Sequence, residues 1–484
     1  MFVYFALRLV WLAFHVDPAL PPDETTHAAQ ARHARAYWGA PADTPQSWPH
    51  GLLSHRPFLY AWAMARWLAL EPTALAERLG DLVWMRLANI ALALGAVAAA
   101  LGWARRAGAD ELALVCICVV LTNLPMWSFL SASVNYDNGV IALAMLAFWL
   151  LARALDEHSP TAALGFALAL CAGVLTKVAF VPLAALLALA ALATIAIPGA
   201  GGREVVSALA RSLRRPAPRL AALALAVTLL GGGAIALYGA NLLRYGVLEP
   251  AANQVLPLEA ARRNRIFEQE YVLRSYRAGA IDYREARREI RSIEPASDRA
   301  GALWLLERAR ARREAGPDAA PLRSRLAYAP LWLRLMGERI FGVMGHRALY
   351  KQGALAAAYG VFALLALAAL VPGLRGRGRD VVHRRIAVGV AFAYALILMQ
   401  GVNYPIYWAS GLEVEAVQGR YLLPVLPPLL ASALVSLLRH VPARTRTAVA
   451  VVLALFFIAG DFPYFLAHAD VAWFAHSPCA VARP

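Results

Sequence analysis

The chain has 484 residues, of which 60% are hydrophobic and only 16% are charged, and its mean hydropathy is +0.53. Soluble domains average about 45–50% apolar and about 25% charged residues, so these values exclude an ordinary soluble domain and predict a polytopic membrane protein. The net charge of +16 would suggest a nucleic-acid partner in a soluble protein, but in a membrane protein it first sorts the loops by side, and we expect no nucleic acid.

The first predicted element is an apolar segment over 2–17. It lacks a basic head and a small-residue cleavage site, so it is predicted to be a retained span and not a signal peptide. A bilayer crossing needs about 20 mostly apolar residues. Ten further candidates follow, at 83–103, 111–130, 139–154, 161–176, 178–197, 220–240, 352–371, 386–402, 422–438 and 448–465. The predicted fold is an all-α polytopic membrane protein with about 11 transmembrane helices, in one domain over 1–484.

Arginines in the loops predict the orientation, because cytoplasmic loops carry an excess of Lys and Arg. With the N-terminus in the cytoplasm, every short basic cluster falls inside: "WARRAG", "REVVSALARSLRRPAPR", "LRGRGRDVVHRR" and "RHVPARTR". The outer side then receives 18–82, the turn 131–138, the junction at Lys177, the loop 241–351, the segment 403–421 and the C-terminal tail.

The stretch "PPDETTH" places Asp23 and Glu24 directly after the first span. Asp23 could cap the following helix, with Glu24 adding favourable charge at its N-terminus; a catalytic role is the alternative. His27, Gln30 and Ala34 recur at helical spacing and form one face. Asp23, Glu24 and His27 could also hold a divalent cation, although nothing in the sequence requires a cofactor or metal.

The stretch "SHRPFLYAWAMARWLAL" continues the first outer loop, 18–82. His55 and Arg56 precede an amphipathic segment rich in Trp and Tyr, which predicts a helix in the membrane interface. Arg56 is either an interfacial anchor or a ligand for a lipid phosphate.

Two further polar groups lie in short connections on the outer side. Asn135 and Asp137, in "NYD", form an ordinary Asx-rich turn unless other evidence points to them. Lys177 lies between two apolar segments, where it either snorkels to the interface or makes a compact phosphate contact.

The stretch "VQGRYLLP" leads into the tenth predicted span. Its polar residues are Gln418, Arg420 and Tyr421. Arg420 is either an interfacial anchor together with Tyr421 or a site residue on the same side as Asp23. The loop 241–351 contains mixed charges with apolar residues at helical spacing, which predicts surface helices. A solvated helical cap is favoured there over a binding role.

These stretches together resemble the GT-C superfamily of integral membrane glycosyltransferases, in which an acidic pair recurs after the first span. "HRPFLYAW" is similar to an element of the lipid A aminoarabinose transferase and protein O-mannosyltransferase branch, with Arg56 where that branch has Lys and Phe58 in place of its second Pro. "PDETTH", "NYD" and "QGRYLLP" resemble more closely a family of bacterial predicted membrane proteins of unassigned function.

The resemblance implies an inverting transfer from a polyprenyl-phosphate sugar to an envelope glycan, lipid or protein, on the periplasmic side of a bacterial inner membrane. Asp23 is then the general base, and Glu24 either orients it or binds the acceptor. The expected phosphate ligands are Arg56, Lys177 and Arg420, supported by His55 and Tyr421. The residues expected to contact substrate are His27, Asn135, Asp137 and Gln418, with Asn135 and Asp137 alternatively holding the first loop.

Three rival functions remain. An envelope polysaccharide polymerase or ligase would share the chemistry. A lipid or sugar transporter should show charges near the bilayer midplane and two related halves with broken helices. In the predicted spans, Arg8 and Arg86 come nearest to such charges. A non-catalytic subunit in envelope polysaccharide assembly is the third.

Overall fold

The structure is a computed structural model that describes residues 1–214, 217–293, 296–316 and 322–474. The C-terminal tail, predicted on the outer side, lies outside the described residues from 475 onward. The described chain is helical almost throughout, which confirms the predicted all-α class.

The first half of the chain consists of helices from the N-terminus to the end of the seventh predicted span. In chain order they are α1 (Phe2–His15), α2 (Glu24–Ala34), α3 (Leu59–Leu68), α4 (Thr73–Arg106), α5 (Glu111–Thr122), α6 (Pro125–Ser131), α7 (Tyr136–Glu157), α8 (Pro160–Thr176), α9 (Phe180–Ala196), α10 (Gly202–Arg214) and α11 (Pro218–Tyr245).

The second half begins with the short helices of the long outer loop. They are α12 (Ala252–Val255), α13 (Leu258–Ala261), α14 (Arg265–Arg277), α15 (Tyr283–Arg291), α16 (Ala296–Ala315) and α17 (Arg325–Ile340). An antiparallel hairpin of β1 (Val343–Met344) and β2 (Ala348–Leu349) follows. The remaining helices are α18 (Gly353–Gly373), α19 (Arg379–Ile397), α20 (Tyr404–Ser410), α21 (Leu426–His440), α22 (Ala443–Ala459) and α23 (Phe462–His468).

Apolar helices coincide with all eleven predicted spans. Among the described residues, six are long and apolar enough to cross a bilayer, namely Gly80–Arg106, Tyr136–Glu157, Pro218–Tyr245, Gly353–Gly373, Arg379–Ser410 and Ala443–His468. The bent pair α5 and α6 would make a seventh. Helices α1, α8, α9 and α21 are shorter, at 14 to 17 residues, so the count of eleven crossings stays a prediction.

The bend between α5 and α6 measures 66° and has a cause in the sequence. Pro125 begins α6, and a proline cannot donate the backbone hydrogen bond that would continue α5. Leu124, the residue before it, is extended at φ −86° and ψ 110°, as the residue preceding a proline tends to be. The bend turns the chain toward the α6–α7 connection that carries "NYD".

The basic loops meet at one end of the helices. Arg106 pairs with Asp156 at 3.0 Å, and Arg439 donates to the carbonyl of Gly108 at 2.9 Å. His383 contacts the same Asp156 at 2.8 Å. The loops after α4, α7, α18 and α21, which the arginine pattern assigns to one side, therefore lie together in the structure.

The opposite end carries the first outer loop, 18–82, and the long loop, 241–351. Helices α14, α15 and α16 share a small apolar core that includes Leu273, Ile290 and Leu306. Below it, Phe267 packs in one cluster with Leu52 of the first outer loop. The two outer loops therefore form a joint layer over the ends of the apolar helices.

Candidate active site

Four charged side chains from four separate stretches meet in this outer layer. Lys177 Nζ lies 2.6 Å from Asp137 Oδ1. Arg420 Nε lies 3.4 Å from Asp137 Oδ2, and Arg420 Nη2 lies 3.1 Å from Asp23 Oδ2. The result is an alternating row of ammonium, carboxylate, guanidinium and carboxylate, which we call the charge row: Lys177, Asp137, Arg420 and Asp23.

Asp23 ends this row in an unusual backbone conformation. Its φ of 61° and ψ of 10° lie in the left-handed region, which costs a residue with a side chain about 1–3 kcal/mol. Although Asp23 precedes α2, its side chain makes no capping hydrogen bond, so the predicted cap is wrong. The carboxylate faces Arg420 instead, and its side chain keeps 31% of its surface exposed.

The strain at Asp23 persists because both flanks of the residue are fixed. On one side, the carbonyl of Pro22 accepts a hydrogen bond from Asn135 Nδ2 at 2.8 Å. On the other side, Glu24 is locked in a buried ion pair with Arg86. The backbone between these two points cannot relax without breaking one of them, and this fixes the direction of the Asp23 carboxylate.

Glu24 is fully committed to structural contacts. Arg86 Nε donates to its Oε1 at 2.8 Å and Arg86 Nη2 to its Oε2 at 2.5 Å, and the Val134 N–H donates to Oε1 at 2.7 Å. Arg86 also donates to the carbonyls of Ala13 and Val16. Both side chains of the pair are completely buried. These contacts agree with the predicted alternative in which Glu24 orients Asp23, and the complete burial of Glu24 argues against the other alternative, binding of the acceptor: its carboxylate joins α1, α4 and the α6–α7 turn.

Asn135 and Asp137 have different positions, although the sequence groups them. Asn135 Oδ1 accepts the backbone N–H of Asp137 at the start of α7, so Asn135 caps that helix while it holds Pro22. This agrees with its alternative role of holding the first loop. Asp137 is 5% exposed and lies between Lys177 and Arg420, which leaves it no open face toward a sugar.

Lys177 and Arg420 are held by their surroundings. The Lys177 ammonium lies between two aromatic rings, 4.3 Å from the centroid of Tyr136 and 4.7 Å from that of Tyr421. Arg420 is 3% exposed, and its Nη1 has no hydrogen-bond partner among the described residues. Gly419 allows this placement, because a Cβ there would lie 2.6 Å from the backbone carbonyl carbon of Arg339.

Electrostatics keep Asp23 ionised and His27 neutral at pH 7. Burial alone would raise the pKa of Asp23, but the positive charge of Arg420, with a smaller contribution from His27, lowers it to about 2. Burial lowers the pKa of His27 to about 4, against the opposing influence of Asp23. His27 Nδ1 lies 3.3 Å from Gln30 Oε1, which confirms their shared helical face, and its ring meets Tyr136 edge-on at 4.2 Å.

Besides the residues already described, three predicted site residues lie outside the charge row. His55 pairs with Asp43 at 2.8 Å, and Arg56 pairs with Glu249 at 2.9 Å. These contacts connect the "HRP" stretch to its own loop and to the segment after α11, so they do not bring it to Asp23. Gln418 precedes the short helix Gly419–Leu422, and its carbonyl accepts the N–H of Tyr421.

Two residues of the long loop approach Asp23 without having been predicted. His346, in the turn between β1 and β2, donates its backbone N–H to the Leu20 carbonyl at 2.9 Å, and its side chain is close enough to influence Asp23 electrostatically. Arg265 of α14 donates to the hydroxyl of Thr26. Neither residue stands out in the sequence: Arg265 lies in a densely charged stretch with many other arginines, and His346 lies in a short turn without a periodic pattern.

The alternative cation site formed by Asp23, Glu24 and His27 is not present. The described residues contain no group of three or more His, Cys, Asp or Glu side chains arranged to hold a metal ion. The physical reason is local, since Glu24 turns away from Asp23 to meet Arg86.

The fold and the charge row define a helical multi-pass membrane protein with a polar site at the end of its apolar helices. Comparisons with protein-family models and with curated proteins give no match. Several solved structures are similar, and three of them represent different proteins. The oligosaccharyltransferase of Archaeoglobus fulgidus, tethered to an acceptor peptide, is 12% identical over 99% of this chain with a TM-score of 0.46.

ArnT from Cupriavidus metallidurans bound to undecaprenyl phosphate is 14% identical over 94% of this chain and 77% of its own, with a TM-score of 0.35. Arabinosyltransferase EmbB from Mycobacterium smegmatis is 15% identical over 91% of this chain and 41% of its own, with a TM-score of 0.34. The chain spans about half the length of the archaeal oligosaccharyltransferase, 55%.

Proposed function

We propose that this chain is an inverting glycosyltransferase that transfers a sugar from a polyprenyl-phosphate carrier to a cell-envelope glycan, lipid or protein. The observation that carries the proposal is the charge row, in which the strained, partly exposed Asp23 carboxylate contacts the buried Arg420 guanidinium and Lys177 lies at the other end of the row. The resemblance of the outer-side stretches to the GT-C superfamily supports it. "PDETTH", "NYD" and "QGRYLLP", which more closely resemble a family of unassigned function, supply three of the four residues.

The chemistry needs one base and one cationic site. The acceptor hydroxyl oxygen attacks the anomeric carbon of the donor and forms the new C–O bond, while the bond from that carbon to the phosphate oxygen breaks. The hydroxyl proton passes to the Asp23 carboxylate, as in general base catalysis. The electron pair leaves with the polyprenyl phosphate, whose added negative charge Arg420 and Lys177 stabilise.

Arg420 connects the two halves of this reaction. In the unliganded protein it contacts Asp23 at 3.1 Å and lowers the pKa of that carboxylate to about 2, which makes Asp23 a weak base. A bound phosphate competes for the same guanidinium through charge-assisted hydrogen bonds. As Arg420 turns toward the phosphate, the pKa of Asp23 rises, and the carboxylate becomes a better base when the donor is in place.

The neighbouring groups act as positioning residues in this scheme. Asp137 touches both cations and holds them at a fixed separation. Glu24 and Asn135 hold the two flanks of Asp23. His27, neutral at pH 7, and His346 lie close enough to Asp23 to influence its charge.

The proposed location follows from the two ends of the fold. The end that gathers the arginine-rich loops belongs in the cytoplasm, because basic loops are retained there. The charge row lies at the other end, so the reaction takes place on the periplasmic side of a bacterial inner membrane. The first outer loop and the long loop then cover the site from outside.

The test uses the full-length protein in lipid nanodiscs with a panel of undecaprenyl-phosphate monosaccharides. Mass spectrometry would detect undecaprenyl phosphate, formed by transfer or by slow hydrolysis of the donor. We expect release with the wild type and none with Asp23→Asn. Asp17→Asn is the matched control, because Asp17 lies in the same loop but accepts the N–H of Ala19.

The same panel separates the rivals. Consumption of undecaprenyl-diphosphate oligosaccharides, with the monosaccharide carriers left intact, would favour a polymerase or ligase and contradict the monosaccharide donor. Passage of the lipid or sugar across a sealed bilayer without chemical change would favour a transporter. Equal activity of Asp23→Asn and the wild type would refute the assignment of the base.

A further inference from the structure

A polar cavity lies in the outer layer, and none of the described residues that line it belongs to the charge row. Its volume is about 540 Å³. One wall is a stripe of α16 formed by Trp304, Arg308 and Arg312, which recur every four residues and so share one helical face. The facing wall is formed by Arg323, Tyr407 and the segment 411–414.

The cavity carries an excess of positive charge. Three of the described lining residues are arginines, and Glu413 is their one carboxylate counterpart. Glu413 is already paired with Arg323 Nε at 2.9 Å. The guanidinium groups of Arg308 and Arg312 therefore face the cavity with their charge uncompensated by its described walls, and such a surface attracts anions.

An aromatic surface accompanies these charges. Trp304 is 45% exposed, and the Arg308 guanidinium lies 5.3 Å from the centroid of its ring. Trp304 therefore offers an open indole face beside two guanidinium groups. The apolar faces of sugar rings suit such a surface, and guanidinium groups bind carboxylates through paired hydrogen bonds.

Gly411 lies in direct contact with the Arg312 side chain. Its φ of 72° favours glycine, and a Cβ at this position would lie 2.4 Å from Arg312 Nε. Arg312 therefore packs directly over the backbone of Gly411, and a larger residue there would make the Arg312 side chain shift. This contact keeps a long, otherwise mobile side chain at the edge of the cavity.

We propose that this cavity binds an acidic saccharide, a carboxylate-bearing stretch of the glycan acceptor. The inference rests on the proposed function, since it names the class of acceptor for that reaction. Trp304 would stack on a sugar face, and Arg308 with Arg312 would bind the carboxylates. The segment 411–414, which forms part of the cavity wall, is followed six residues later in the chain by Arg420 of the charge row.

Two ion pairs attach the chain around this segment to the long loop. Arg323 holds Glu413 at 2.9 Å, and Arg277 of α14 holds Glu415 at 3.3 Å. Both arginines belong to the long loop, so the wall of the cavity and the approach to Arg420 are fixed to the same layer. An acceptor bound here is held at the outer layer that also covers Asp23.

The experiment measures binding and needs no transfer. Full-length protein in nanodiscs of neutral lipid is titrated into a fluorescently labelled hexamer of α-1,4-linked galacturonic acid at 150 mM NaCl, and fluorescence anisotropy is recorded. We expect saturable binding that Arg308→Gln/Arg312→Gln weakens at least tenfold and Trp304→Ala weakens several-fold. Arg284→Gln/Arg288→Gln, which removes two exposed arginines from α15, is the matched control and should bind like the wild type.

The outcomes divide as follows. A control variant that loses as much affinity as Arg308→Gln/Arg312→Gln would overturn the proposal, because binding would then follow net charge. Equal binding of neutral maltohexaose, or full competition by equimolar inorganic phosphate or phosphatidylglycerol vesicles, would also overturn it. Asp23→Asn should bind the hexamer normally, so failure of the cavity and failure of the catalytic assignment give different results.

Discussion

Asp23 and Glu24 are adjacent in the chain and have opposite environments. Glu24 is completely buried, accepts three hydrogen bonds and pairs with an equally buried Arg86. Asp23 is strained, partly exposed and paired with Arg420 at 3.1 Å. A satisfied buried pair fixes structure, whereas a carboxylate held open at the end of a row of charges is available for chemistry. In the proposed reaction, Glu24 therefore has a structural task and Asp23 a catalytic one.

The difference has a geometric origin. Glu24 is the first residue of α2, and its side chain meets Arg86 of α4. Arg86 also donates hydrogen bonds to the carbonyls of Ala13 and Val16 at the end of α1. Asp23 lies one residue earlier, and its left-handed backbone directs its side chain toward Arg420. The buried pair of Glu24 and Arg86 therefore helps to orient Asp23 toward Arg420. A substitution in the buried pair should affect Asp23 only by disturbing the fold.

The largest expected effect comes from Asp23→Asn. The amide keeps the size of the side chain and tolerates the left-handed backbone, but it cannot accept the acceptor proton. We expect turnover to fall by about 10²–10⁴, the usual contribution of a general base, with a loss of stability clearly smaller than that of Glu24→Gln, because Asp23 is partly exposed and Arg420 keeps its contact with Asp137. Steady-state turnover and thermal unfolding of the same preparation test both parts, and a large loss of stability would show that Asp23 is structural.

Glu24→Gln should reverse this pattern. Removing one partner leaves Arg86 as an uncompensated buried charge, which costs about 3–5 kcal/mol of unfolding free energy. Thermal and denaturant unfolding in detergent would measure it. Asp81→Asn is the control, since it breaks the exposed pair with Arg32 and should cost less than about 1 kcal/mol. Equal losses in the two variants would contradict the contrast between Glu24 and Asp23.

Arg420→Gln should shift the pH dependence of the residual activity. Without the guanidinium charge, burial becomes the dominant influence and raises the pKa of Asp23 from about 2, so the carboxylate protonates at a higher pH. We expect kcat/KM of the variant to decline below about pH 5, while the wild type keeps an ionised Asp23 to well below that pH. Arg325→Gln, on the exposed start of α17, should keep the wild-type profile; an unshifted acidic limb in Arg420→Gln would refute the pairing.

The smallest effect is expected at Lys177. Lys177→Gln removes one cationic contact to the donor phosphate and should raise the KM for the donor about tenfold, which corresponds to about 1.4 kcal/mol. Lys177→Arg should recover only part of the affinity, because a planar guanidinium does not replace an ammonium between Tyr136 and Tyr421. Lys351→Gln, which replaces the chain's other lysine, is the control. A change in kcat alone would contradict a role in donor binding.

Much of the fold could be predicted, because apolar length and loop arginines are local properties. All eleven predicted spans correspond to apolar helices, and the basic loops lie together. Sorting the polar residues by side also found all four members of the charge row. What joins these residues is the bundle itself: Arg420 and Asp23 are separated by 397 positions, and nothing in either stretch specifies the other as its partner.

The errors have the same origin. "DET" leaves open whether Glu24 orients Asp23 or binds the acceptor, and the contact that fixes its carboxylate comes from Arg86, 62 positions away. Arg56 resembled a phosphate ligand, but Glu249 holds it, and no periodicity connects those two positions. His346 was missed because the hairpin that carries it is only two residues per strand, too short for an alternating pattern to reveal.

The central claim is that Asp23 performs chemistry while Arg420 binds the donor phosphate. The most direct test loads Asp23→Asn with an undecaprenyl-phosphate sugar that the wild type consumes, then measures donor affinity and single-turnover transfer on one sample. We expect donor binding at least as tight as in the wild type, because the Asp23 carboxylate no longer competes with the phosphate for Arg420, and transfer at least about 10²-fold slower. Transfer at the wild-type rate, or a loss of donor binding equal to the loss of transfer, would contradict it.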